Sequence, residues 1–195
     1  TLKAPKDATV VSPTSTMVVE SNLTVSEVAA VLGLPEGFNL DFNPFEENAD
    51  PTMAAAVEKT SQMVMTTITA ISSTGEGAGL SKNDAFKTAM DAIVSVVKSK
   101  VETNNTVDFA NASTLEEIQS KASEVAVTKG IDESAFNIAI DAAIEKTKTA
   151  NNDIKNIDDS EVFSENAKTV FSSATNIAAE TKSFAETLNT AFSTT

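Results

Sequence analysis

The chain has 195 residues, 41% of them hydrophobic, and carries a net charge of −14, with no His or Cys and with every basic residue a lysine. A chain of this length suits one medium domain that buries about 70% of its unfolded surface without needing a staple. The missing side chains exclude thiol and imidazole chemistry and disulfides, and the acidity opposes nucleic acid and anionic membranes as partners.

In chain order, the first feature is an extended stretch, Ala8 to Ser12, the only place with strand-like alternation. Ser12 then has the chemistry of an N-cap and Pro13 that of a first helical residue, which predicts a short helix over 13–20. Ser21-Asn22 breaks it. Thr24 and Glu27 have capping-box spacing ahead of Val28, Val31 and Leu32, and Gly33 closes this second helix.

Residues 35–51 contain Pro35, Gly37, Pro44 and Pro51, so the segment is predicted as one long irregular loop, pinned to the body by Phe38, Phe42 and Phe45. Helical periodicity resumes with Met53, Val57, Val64, Ile68 and Ile71 on one face. The glycines at 75, 77 and 79 are expected to end that helix in a flexible connection. Ser81 caps the next, whose stripe is Phe86, Met90, Ile93, Val97 and Val101. After Asn104-Asn105 comes a shorter helix capped at Ser113 or Thr114, with Leu115, Ile118, Ala122 and Val125 inward and Gly130 at its end.

The following helix starts near Asp132 and carries Phe136, Ile140, Ala143 and Ile144. Its Ala135-Phe136, Ala139, Asp141 and Ala142 repeat Ala85-Phe86, Ala89, Asp91 and Ala92 at an offset of fifty residues, a spacing equally compatible with duplication and with chance. The last helix is expected over about 159–192. Phe163, Val170, Ile177, Phe184 and Ala191 recur every seven residues, with Ala167, Ala174, Thr181 and Leu188 as a second row. Together they describe a coiled-coil-like seam about 45 Å long, which most simply lies against its own bundle. The fold expected is all-α, a bundle of about five to seven helices, with a short extended N-terminal segment and the loop at 35–51. It is expected as a single domain over 1–195, with a subdivision into 1–75 and 76–195 as the alternative. Ser193 to Thr195 form a Ser/Thr-rich tail. No apolar run has the roughly 18 residues a membrane span needs, and the polar start at Thr1 suggests a processed or excised chain.

Catalysis would have to use carboxylates, Lys, Ser or Thr. The adjacent acids Glu46/Glu47, Glu116/Glu117 and Asp158/Asp159 lie in polar surroundings and are expected to be solvated. Calcium is the one cofactor the composition offers, because it takes oxygen ligands. The candidate ligands fall in two sets, Asp41, Glu46, Glu47 and Asp50 in the loop, and Asp153, Asp158 and Asp159 near the last helix. Neither set has the twelve-residue spacing of a helix–loop–helix calcium site, and solvated acidic surface is the simpler reading.

Three pieces of the N-terminal third add a resemblance. Ala8-Thr9-Val10-Val11-Ser12-Pro13-Thr14-Ser15-Thr16-Met17, then Ala30-Val31-Leu32-Gly33-Leu34-Pro35, then Asp41-Phe42-Asn43-Pro44-Phe45 occur in this order. The order resembles a helical segment of very large secreted bacterial proteins, the repeat-containing adhesins and surface-layer-like proteins, and covers about residues 4–75. Thr14 stands where leucine is usual and Asn43 where aspartate is usual, the second weakening a metal role for this loop. The resemblance implies a surface or matrix module without catalysis. Protein partners are then expected, either another copy or other surface proteins, with an extracellular or cell-surface location. Two alternatives follow from the residues: a self-assembling filament or lattice subunit using the sevenfold seam and the extended N-terminal segment, and an enzyme or ligand binder using paired carboxylates or calcium.

Overall fold

A computed structural model describes residues 1–193, apart from the side chains of Ala174 and Thr175. The described chain is an all-α bundle of seven helices: α1 (Pro13–Ser21), α2 (Val25–Val31), α3 (Pro51–Gly77), α4 (Lys82–Glu102), α5 (Ala112–Thr128), α6 (Glu133–Lys155) and α7 (Glu165–Ser193). A short 3-10 turn, Asp159–Glu161, precedes α7. Helix α3, 27 residues and about 40 Å long, is the axis. It packs on α4, α6 and α7; α5 closes the far side between α4 and α6, and α1 and α2 lie across α4.

The helix starts follow local chemistry. Ser12 caps α1 in a reciprocal box with Ser15, Thr24 does the same with Glu27, and Ser81 and Asp132 accept from the backbones of Asp84 and Ala135. Pro51, read as the end of the loop, is the first residue of α3, with Asp50 as its cap. Helix α5 is capped by Asn111, whose Oδ1 accepts from Ser113 N at 2.9 Å, rather than by Ser113 or Thr114. Four helices end in the same reciprocal pattern. In α3, Gly79 N donates to the Glu76 carbonyl at 3.0 Å and Leu80 N to the Gly75 carbonyl at 2.9 Å. The residue after the cap is left-handed in each, being Gly33, Gly79, Gly130 and, at φ 51, Asn104.

The main core draws on both halves of the chain, from Met17 and Val28 through Ile68 and Ile93 to Phe136 and Ile144. No packing boundary falls at residue 75. A second, smaller cluster of Ala70, Ala143, Ala150 and Ile177 lies where α7 covers α3 and α6.

Three further expectations change. First, among the described residues there is no strand. Residues 1–12 are held by side chains instead: Lys3 N donates to Thr16 Oγ1 at 2.8 Å, and Ser15 Oγ donates to the Lys3 carbonyl at 2.8 Å. Second, the Gly75-to-Gly79 segment is not a flexible connection throughout. Helix α3 runs through Gly75 and Gly77, and only Gly79 leaves it, at φ +106. Third, α7 starts at Glu165, so Phe163 lies outside it, in the turn before it. Along α7 the buried positions are Ala167, Ile177, Thr181 and Ala185, whereas Phe184 is 40% exposed and Ala191 is exposed. A straight α-helix turns about 20° per seven residues away from a strict sevenfold row, so that row crosses the core face only around Ile177, with Val170 half-buried before it and Phe184 and Ala191 exposed after it. The side chain of Ala174 in the second row, and Thr194 and Thr195 of the tail, lie outside the described residues.

Candidate interaction surface

Of the seven carboxylates expected as calcium ligands, four take separate structural roles. Asp50 caps α3, accepting from Met53 N at 2.8 Å. Asp41 accepts from Thr9 N at 2.7 Å and from Thr9 Oγ1 at 2.9 Å, which clips the N-terminal segment onto the loop. The backbone bond foremost, then the hydroxyl bond, holds the Asp41 carboxyl below the usual aspartate range. Asp158 accepts from the Ser160 hydroxyl and, at 2.9 Å, from Ser160 N; these bonds, the hydroxyl one first, lower its pKa too. Asp159 pairs with Lys59 at 2.7 Å. Glu46, Glu47 and Asp153 are exposed. Among the described residues no three acids are grouped closely enough to hold a metal ion.

The two acidic segments nevertheless meet. Phe45 in the loop and Phe163 in the turn before α7 form an edge-to-face pair, ring centroids 5.6 Å apart and planes at 77°. Of the three phenylalanines expected to pin the loop, Phe38 and Phe42 do pack against the core. Phe45 instead reaches sideways to Phe163 and stays 69% exposed, with Phe163 at 45%. Glu46 and Glu47 flank one ring in sequence, and Glu161 and Glu165 the other, all exposed. Glu165 is paired with Lys168 at 2.5 Å. The result is an exposed ring pair with exposed acids next to each ring in the sequence. Sequence reading named both acidic segments but had no local signal joining positions 118 residues apart.

Two polar side chains, one half-buried and one fully buried, define how the bundle is tied near the C-terminal end of α6. The Lys59 ammonium donates to the carbonyls of Ile157 and, at 3.4 Å, Lys155, so a side chain of α3 closes the C-terminal end of α6. Asn151 of α6 is fully buried; its Nδ2 donates to the Phe109 carbonyl at 2.8 Å and to Thr67 Oγ1 at 3.1 Å. That one amide joins α6, α3 and the segment between α4 and α5. Its place on the buried face of α6, one turn after Thr147 and just before Ile154, was the only available hint.

An open groove of about 810 Å³ lies between α5 and α6, with Glu124, Val127, Glu133, Ile138 and Asp141 in its walls. Its acids are all exposed. The pairs Glu46/Glu47, Glu116/Glu117 and Asp158/Asp159 are exposed as well. No described helix is long and apolar enough to cross a membrane. Compared with protein-family models, curated proteins and solved structures, the chain matches none.

Proposed function

We propose that this chain is a non-catalytic structural or interaction module of a secreted or surface-exposed bacterial protein, a spacer, adhesin domain or assembly subunit. The observation that carries the reading is the division of labour among its polar side chains. Those that are buried or bonded, such as Asn151, Lys59 and Asp41, tie one element to another, while the exposed aromatic pair and its acids face outward. The composition supports it, since no His, Cys, Tyr or Arg is present to supply a catalytic group. The N-terminal resemblance to segments of large secreted bacterial proteins points the same way.

The test is surface labelling of intact source cells with a membrane-impermeant amine reagent, followed by mass spectrometry of this chain's lysines. Labelling of the chain on intact cells, or its recovery from the medium, is the expected result; protection until the cells are lysed would overturn the reading. A filament or lattice subunit is the second reading, favoured by Phe184, which α7 leaves 40% exposed. Light scattering over rising concentration, with and without residues 1–12, separates a spacer that stays monomeric from a subunit that grows.

A further inference from the structure

We infer that the Phe45–Phe163 end of the bundle is a docking surface for a cationic segment of a different protein, one that presents lysine or arginine side chains to the rings and the neighbouring acids. The inference rests on the interaction-module reading and names its partner chemistry.

Burial removes aromatic rings from water, and a chain that folds an aromatic pair together yet leaves Phe45 69% exposed has not finished that burial. In an edge-to-face pair each ring keeps a π face outside the contact, and such a face attracts an ammonium or guanidinium group. The neighbouring acids add charge of the complementary sign. Glu46, Glu47 and Glu161 are exposed and form no ion pair among the described residues, and the nearby lysines are already committed, Lys59 to Asp159 and Lys168 to Glu165. A cation meeting this surface therefore finds free carboxylates and no competing positive charge.

The same charge pattern selects against a second copy as the occupant. Eleven of the 14 lysines sit in ion pairs. The other three, Lys6, Lys82 and Lys98, are scattered over the N-terminal segment and the two ends of α4. Among the described residues there is thus no cluster of unpaired lysines to place against this end, which favours a partner that brings the complementary charge.

The experiment titrates the full chain into a labelled peptide of alternating arginine and leucine and reads fluorescence anisotropy at low and raised salt. Phe45→Ala should weaken binding about threefold or more. The double variant Glu46→Gln/Glu47→Gln should weaken it by a similar factor at low salt, the difference shrinking as salt is added. The control is Glu124→Gln/Glu133→Gln in the α5–α6 groove, which removes the same charge elsewhere and should leave affinity unchanged. Equal loss in both double variants would mean that net charge alone attracts the peptide, and would overturn the site. An unchanged affinity in Phe45→Ala would overturn it too, as would concentration-dependent dimerisation that Phe45→Ala abolishes. Absence of peptide binding by the unaltered chain sinks this docking surface, whereas the wider reading fails only in the cell-surface labelling.

Discussion

Gly77 of α3 lies against the backbone of Lys182 in α7. A β-carbon at Gly77 would run into the Lys182 carbonyl oxygen and stand 2.7 Å from the Ala185 methyl. The Lys182–Glu76 ion pair, 3.0 Å, fastens the same crossing, with the Glu76 carboxylate raising the Lys182 pKa. Gly77→Ala should therefore destabilise the fold by about 2–3 kcal/mol, because forced separation of two helices outweighs the roughly 1 kcal/mol that alanine adds in helix propensity. Gly75→Ala should cost less, since its β-carbon would meet the Ala85 and Leu80 side chains at 3.2 Å and the Ala85 Cα at 3.4 Å, none as close as the atoms facing Gly77. Urea denaturation of the two variants side by side checks the order.

Asn151→Ala should cost about 2–4 kcal/mol. It deletes the amide that serves the buried Phe109 carbonyl, leaving that oxygen unsatisfied, and it opens a small cavity at a fully buried position. Thermal unfolding should show the loss, and amide exchange should be faster in α3 around Thr67.

Lys59→Met and Asp159→Asn separate a helix cap from an ion pair. The lysine side chain is 14% exposed and its aspartate partner 66%, so most of the value of Lys59 lies in its bonds to the carbonyls of Lys155, the last residue of α6, and of Ile157 just beyond it. Lys59→Met should lose about 1–2 kcal/mol, Asp159→Asn less than about 0.5 kcal/mol. A reversed order in chemical denaturation would show that the pair, and not the cap, holds this corner.

The clip between Thr9 and Asp41 should respond to acid. Its bonds favour the charged carboxylate, so the folded pKa lies below the ordinary value near about 4. The stabilisation is complete above that ordinary value and is lost as pH falls through the lower, folded one. The Thr9 amide proton, followed by NMR, should report this titration. In Asp41→Asn the signal should stay flat over the same range.

Calcium should leave the melting temperature within about 1 °C of its value in a chelator, since one bound ion at saturating concentration would shift it further. The physical reason is that Asp41, Asp50, Asp158 and Asp159 already accept bonds from the chain or from Lys59. A larger shift would restore the acidic segments as ligands.

Much of this architecture was readable because helix boundaries are local events. Ser12, Thr24, Ser81 and Asp132 cap where their spacing to the first turn says they should, and Gly33 and Gly130 close helices in the left-handed conformation that glycine adopts at no steric cost. Asn111 was passed over because two hydroxyl residues follow it, and any of the three has cap chemistry. Gly75 and Gly77 mislead for a different reason. Inside a helix glycine is unfavourable, and what compensates is close packing, of α7 against Gly77, more than a hundred residues away in sequence, and of Leu80 and Ala85 against Gly75. The sevenfold row misled in its own way, as an accurate repeat laid on a helix whose true period is longer. Of the candidate surface, the acids were visible and the ring pair was not, because contacts between distant segments leave no mark on either one alone.

Helix α7 has a bearing on the order of folding during synthesis. A ribosome delivers α3 and α6 first, with the notch at Gly77 and the alanines at 70, 143 and 150 still bare, and their cover arrives only with residues 165–193. The nascent chain must therefore carry an unfinished seam for as long as the final helix takes to emerge. At about 5–20 residues per second that is a matter of seconds, ample time for a passing helix to settle into the wrong groove.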